Sequence, residues 1–128
     1  MFFKNGRPVY LNLFKIKLPL PGFVSILHRV SGVYLFIFSG FLLWILQNTL
    51  SSENSYINVK LILDNFFVKL LIFAMIWSFL HHFLAGIRFL LLDFHIGTRL
   101  KTTRIASAFI LFSGAILTLV IFSFLYDF

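Results

Sequence analysis

Three apolar runs constrain this chain more than anything else in it. They lie roughly at 23–48, 61–93 and 104–126, each near or above the ~20 residues that carry a helix across a bilayer. The chain has 128 residues, 60% of them hydrophobic and 12% charged, which gives a soluble domain of this size more apolar surface than it needs. The sequence therefore predicts an all-α integral membrane protein with three transmembrane helices. They belong to one unit over residues 1–128, with a polar arm over 1–21. No soluble domain, internal repeat or low-complexity linker interrupts it.

The arm holds Lys4, Arg7, Lys15 and Lys17, with prolines at 8, 19 and 21. Prolines that close together favour an extended or turning path, and Pro21-Gly22 marks the start of the first span. The arm is too polar for a secretory signal and is not the serine- and arginine-rich kind of transit peptide. The expected membrane is thus that of the compartment of synthesis, a bacterial inner membrane or the mitochondrial inner membrane. Lysine and arginine recur around Arg99, Lys101 and Arg104, whereas Lys60 stands alone beside Glu53 between spans one and two. The positive-inside rule puts the N-terminus on the cytoplasmic or matrix side, and Asp127-Phe128 on the other. The net charge of +7 follows from this topology, and no basic face for nucleic acid is gathered. There are no cysteines, which excludes disulfides, thiolate metal sites and an iron–sulfur cluster held by this chain alone.

Span two contains the chemistry. Ser78, His82, Ala85, Gly86, Phe89 and Asp93 fall on one helical face, with small residues one turn from the His82 imidazole. Ionisable groups at membrane depth are costly and usually face a bundle interior. His82 reads either as an axial haem ligand or as a buried histidine hydrogen-bonded to a neighbouring helix. His81 lies on another face with Trp77, Leu84 and Arg88 and is the weaker candidate, better suited to an interhelical hydrogen bond. In span one Ser25, His28, Gly32 and Ser39, and less squarely Ser31 and Gly40, form a small and polar stripe that lets a helix or planar ligand come close. Arg29 either snorkels to the interface, pairs with a buried anion such as a haem propionate, or donates to a quinone carbonyl. At 1.5 Å per residue His28 lies roughly 9 Å, and His82 roughly 16 Å, from the inner ends of their spans. The offset of roughly 7 Å at that rise favours His82 on iron and His28 with Arg29 on the propionate side, with a second ligand from another chain. Arg88 and Asp93, near the inner end of span two, read as a charge network, structural before proton-relaying.

Two motifs then make a resemblance specific. Arg7-Pro8-Val9, Leu13, Leu20 and Ser25-Ile26-Leu27-His28-Arg29-Val30-Ser31-Gly32 resemble the N-terminal signature of the cytochrome b membrane-anchor subunit of succinate dehydrogenase (complex II). His82 followed by Gly86-Ile87-Arg88-Phe89-Leu90, ending at Asp93, resembles that family's second signature. Phe89 stands where many members have a histidine that is not the ligand. The resemblance implies a three-helix anchor in a heteromeric bundle with a second small membrane-anchor subunit, the two sharing one haem b. It implies a ubiquinone site at the junction with an iron–sulfur subunit, which in turn carries a flavoprotein subunit. It makes His82 the haem iron ligand, puts His28 and Arg29 by the propionates, and lines the quinone pocket with Ser25 and Arg29. The chain is then no complete enzyme but part of one that passes electrons from succinate to ubiquinone. A quinol:fumarate reductase anchor and a non-redox structural or transport subunit are the alternatives.

Overall fold

The computed structural model describes Phe2–Lys4, Arg7–Val9 and residues 18–126, the two strand segments by their backbone. Leu13, Lys15, Lys17 and Asp127-Phe128 lie outside the described residues. Phe2–Lys4 (β1) and Arg7–Val9 (β2) pair antiparallel, with Phe2 opposite Val9 and Lys4 opposite Arg7. Four helices follow: α1 (Leu20–Ser51), α2 (Glu53–Leu63), α3 (Phe66–Asp93) and α4 (Leu100–Tyr126). Of these, α1, α3 and α4 are long and apolar enough to cross a membrane, and the chain is a helical integral membrane protein. Their outward faces are apolar, as lipid requires: Phe36 is 81% and Phe124 84% exposed.

Pro19 is the N-cap of α1 and Pro21 lies in its first turn, where a missing N–H costs nothing and a fixed φ suits the helix. The far end of α1 stays helical to Ser51 although its residues turn polar. Asn48, Thr49 and Ser51 donate side-chain hydrogen bonds to the carbonyls of Trp44, Ile45 and Asn48, so the polar groups are satisfied inside the helix.

The segment from Gln47 to Lys60 reads as a loop in the sequence, and here the structure differs. Residues from Glu53 onward form α2, capped by the Ser52 hydroxyl, which accepts from the Ser55 N–H at 3.2 Å. Glu53 in its first turn and Lys60 in its last oppose the helix dipole with favourable sign. Span two is also not continuous from 61. The helix breaks at Asp64 and Asn65, and the Asn65 side chain caps α3 by accepting from the Phe67 N–H at 3.0 Å. At its other end α3 closes in a Schellman motif. The Ile96 N–H bonds to the Leu91 carbonyl and the His95 N–H to the Leu92 carbonyl, while His95 takes φ 62°.

α1, α3 and α4 pack mutually around Val24, Ala85 and Ile110, with Leu84, Phe89 and Leu111 against them. The buried stripe of α3 is Ser78, His81, Ala85 and Arg88, and that of α4 is Ser107, Ile110, Gly114 and Thr118. Small residues dominate because helices in lipid are held by close backbone approach and not by a hydrophobic force between them. The buried hydroxyls cost little. Ser107 donates to the Thr103 carbonyl at 2.8 Å and Thr118 to that of Gly114 at 2.7 Å.

Candidate functional site

Antiparallel packing of α1 on α3 interlocks two histidines with two glycines. A Cβ at Gly32 would stand 2.9 Å from His82 Cε1, and one at Gly86 would stand 3.5 Å from His28 Nε2. The His82 ring thus occupies the space left by Gly32, whereas the His28 ring lies at ordinary contact distance from the Gly86 face. Pairing 28 with 86 and 32 with 82 leaves His28 and His82 one helical turn apart along the backbone, ~6 Å. The side chains nevertheless close that offset. The two imidazoles stack with centroids 4.1 Å apart and planes 10° apart, so the expected separation of roughly 7 Å by helical rise does not hold for the rings. Backbone rise alone cannot report where a side chain that spans the interface comes to rest.

The hydrogen bonds around His82 define its tautomer. Its Nδ1 lies 3.0 Å from the His28 carbonyl oxygen and 3.3 Å from Ser31 Oγ, and Ser31 itself donates to the His28 carbonyl at 2.9 Å. A carbonyl only accepts and the serine proton is already committed, so Nδ1 carries the hydrogen. Nε2 then bears the lone pair. An imidazole whose one nitrogen donates to a backbone carbonyl while the other is bare is the arrangement of a metal-ligating histidine. His28 meets the edge of Phe89 at 5.2 Å, and the Arg88 guanidinium stands 5.3 Å from the Phe89 ring centroid. His82, His28, Phe89 and Arg88 form one continuous run of rings and charge toward the C-terminal end of α3.

Ser25 and Arg29 lie one turn apart on α1. Arg29 is exposed and borders an apolar groove with Val33, Tyr34 and Ile37, and it makes no ion pair among the described residues. Ser25 is half-buried. Both remain available to a ligand or a neighbouring chain.

Two expectations need correction. His81 is suited by its face to an interhelical hydrogen bond, but it is fully buried, stacked on Trp77 at 5.1 Å, and neither ring nitrogen has a hydrogen-bond partner among the described residues. The Val24 backbone faces it without reaching hydrogen-bond geometry. The bundle axis runs through the His81 face because Ala85 and Ser78 there let α1 and α4 approach. Arg88 and Asp93 form no network either. Arg88 is 7% exposed, with Nε and Nη1 unpartnered among the described residues, whereas Asp93 is exposed beyond it. They lie five positions apart, and 500° of helical rotation points them apart at 100° per residue. Ser31 is the residue the sequence undervalued. Its place three residues after His28 was the available signal, since a serine there can reach back to that carbonyl.

Comparison with known proteins identifies the family. The chain is 36% identical over 88 residues to the succinate dehydrogenase cytochrome b556 subunit of Coxiella burnetii, covering 68% of this chain and 70% of that one. It is 29% identical over 117 residues to the subunits of the same name from Rickettsia felis and Rickettsia prowazekii, covering 91% of each chain. The model of the succinate dehydrogenase/fumarate reductase transmembrane subunit matches residues 4–121. Spanning both histidine-bearing helices and nearly all of the third, that match makes the chain a member of the succinate dehydrogenase/fumarate reductase transmembrane-subunit family, a membrane anchor of succinate dehydrogenase.

Proposed function

We propose that this anchor binds haem b through His82 and helps form the site at which succinate-derived electrons reduce ubiquinone. The observation that carries the reading is His82 Nδ1 at 3.0 Å from the His28 carbonyl oxygen, an acceptor that assigns the hydrogen to Nδ1 and leaves the Nε2 lone pair for a metal. Among the described residues no three His, Cys, Asp or Glu converge, which suits a metal whose remaining ligands come from outside this chain, such as a porphyrin iron. The residues fit the group. His82 would hold the iron, while His28 and Arg29 would stand on the propionate side. A second small membrane-anchor subunit would share the haem and help hold it. Bound haem b would supply one-electron storage.

The chain's own residues do the rest. Gly32 admits the His82 ring, and Ser31 with the His28 carbonyl orients it. Ser25 and Arg29 would line the quinone pocket, the hydroxyl and guanidinium polarising a quinone carbonyl as charge develops on its oxygen. The arm and the Arg99–Arg104 segment would face the cytoplasmic side, or the matrix in a mitochondrion, where iron–sulfur and flavoprotein subunits dock. The membrane would be a bacterial inner membrane, as the bacterial relatives suggest. Succinate oxidation is preferred to quinol-driven fumarate reduction because the relatives carry the succinate dehydrogenase name.

Arg29→Ala and Ser25→Ala are expected to impair ubiquinone reduction by the assembled complex while succinate oxidation by an artificial acceptor survives. Parallel loss of both activities with normal assembly would refute the quinone role.

A further inference from the structure

About four turns along α1 from His28, at 3.6 residues per turn, all four helices border a cavity of about 690 Å³. Ligand sites run to about 300–1,000 Å³. Leu42 and Ile45 of α1, Ile72 and Met75 of α3, and Leu125 of α4 form its walls, and α2 lies across it with Ile57 and Leu61. The rim is polar. Lys60, Asp64 and Tyr126 stand at the mouth, at the level where α1 ends, α3 begins and α4 ends.

The rim groups are not equivalent. Tyr126 is committed, its hydroxyl donating to the Leu63 carbonyl at 3.2 Å. Asp64 is neutralised by its ion pair with Lys69, whose ammonium also stands 4.9 Å from the Tyr126 ring centroid. Lys60 makes no ion pair among the described residues. Two lysines against one aspartate leave the mouth with a charge of +1. The unbalanced positive charge at the ends of spanning helices, above an apolar slot between them, complements a molecule with an anionic head and a long apolar tail.

We propose that this cavity is a phospholipid site, one acyl chain lying between α1, α3 and α4 beneath α2, its phosphate on Lys60. The lipid joins the ends of the three spans and holds α2 in place. The test uses the intact complex purified in mild detergent, stripped of lipid and supplied with phosphatidylglycerol carrying a photoactivatable acyl chain. Labelling is expected on the α3 segment with Ile72 and Met75. Lys60→Gln should lower it roughly fivefold, the fold-change for one lysine at an anionic lipid surface, and Ile72→Trp should fill the slot and abolish it. Lys60 is exposed, so Lys60→Gln remains a test if Ile72→Trp does not assemble. Labelling of this segment unaltered in Lys60→Gln, or a quinone in place of phospholipid extracted from the native cavity, overturns the proposal.

Discussion

Replacing Gly32 by alanine puts a Cβ 2.9 Å from His82 Cε1 and 3.3 Å from its Nδ1. Neither neighbour is a flexible chain end. The ring is pinned by the His28 carbonyl on one side and by stacking on the other, so relief requires turning the imidazole off its acceptor or parting α1 from α3. Overpacking costs about 1–3 kcal/mol, and losing the imidazole–carbonyl bond about 0.5–1.5 kcal/mol. Against these, alanine in place of glycine gains up to about 1 kcal/mol of helix propensity. The net is a loss of about 0.5–4.5 kcal/mol, the sum of those terms. Gly86 is the internal control. Its added Cβ would meet His28 Nε2 at 3.5 Å, an ordinary contact, so Gly86→Ala should be neutral or slightly stabilising. Each variant complex is purified, its thermal unfolding followed, and haem b per flavin read from the reduced-minus-oxidised spectrum. Gly32→Ala should lower both the melting temperature and the haem content or potential, and Gly86→Ala neither. If the two variants behave alike, the interlock does not position His82.

Other perturbations separate burial from function. His81→Phe keeps the stack on Trp77 and removes two buried nitrogens without partners. It should leave thermal stability unchanged or raised by up to about 2 kcal/mol and retain haem, and a lowered melting temperature would mean that the imidazole has a bonded partner in the complex. His95 holds a left-handed φ of 62° at the end of α3, so His95→Gly should stabilise by about 1 kcal/mol, read as a higher melting temperature. Asp64 is held below its ordinary value of 3.8, first by the hydrogen bond from Lys69 and then by that lysine's charge. A carboxyl with a depressed folded pKa contributes stability above its unfolded value, and that contribution fades as pH falls through the folded one. The clasp joining α2 to α3 should therefore loosen in acid below about pH 4, the ordinary aspartate value. Hydrogen exchange over α2 would detect it, and Asp64→Asn should remove the pH dependence.

The three spans were legible because covering a bilayer is a matter of length and apolarity, which a sequence displays directly. His28, Arg29, Gly32, His82 and Gly86 were legible for a related reason. Polar and small residues inside such spans carry a cost that only a specific neighbour offsets. Less legible was α2, whose cap at Ser52 and favourable end charges sit in a segment polar enough to read as loop. The Asp64-Asn65 break was hidden by apolar residues on both sides.

Periodicity placed His81 and His82 on different faces of one helix but could not say which face meets the bundle axis. That depends on how α1 and α4 settle against α3, through Val24, Ala85, Ser107 and Gly114, and the answer put His81 in the interior and His82 at the α1 interface. Composition and spacing alone thus determined that the chain spans a membrane three times and which side chains are out of place there. Only helix packing decided that His28 and His82 stack and that Ser31 completes the bond to Nδ1. The physical reason is that transfer into lipid is a property of each segment by itself. Interhelical contact instead depends on rotation, register and rotamer together, and none of these is encoded locally.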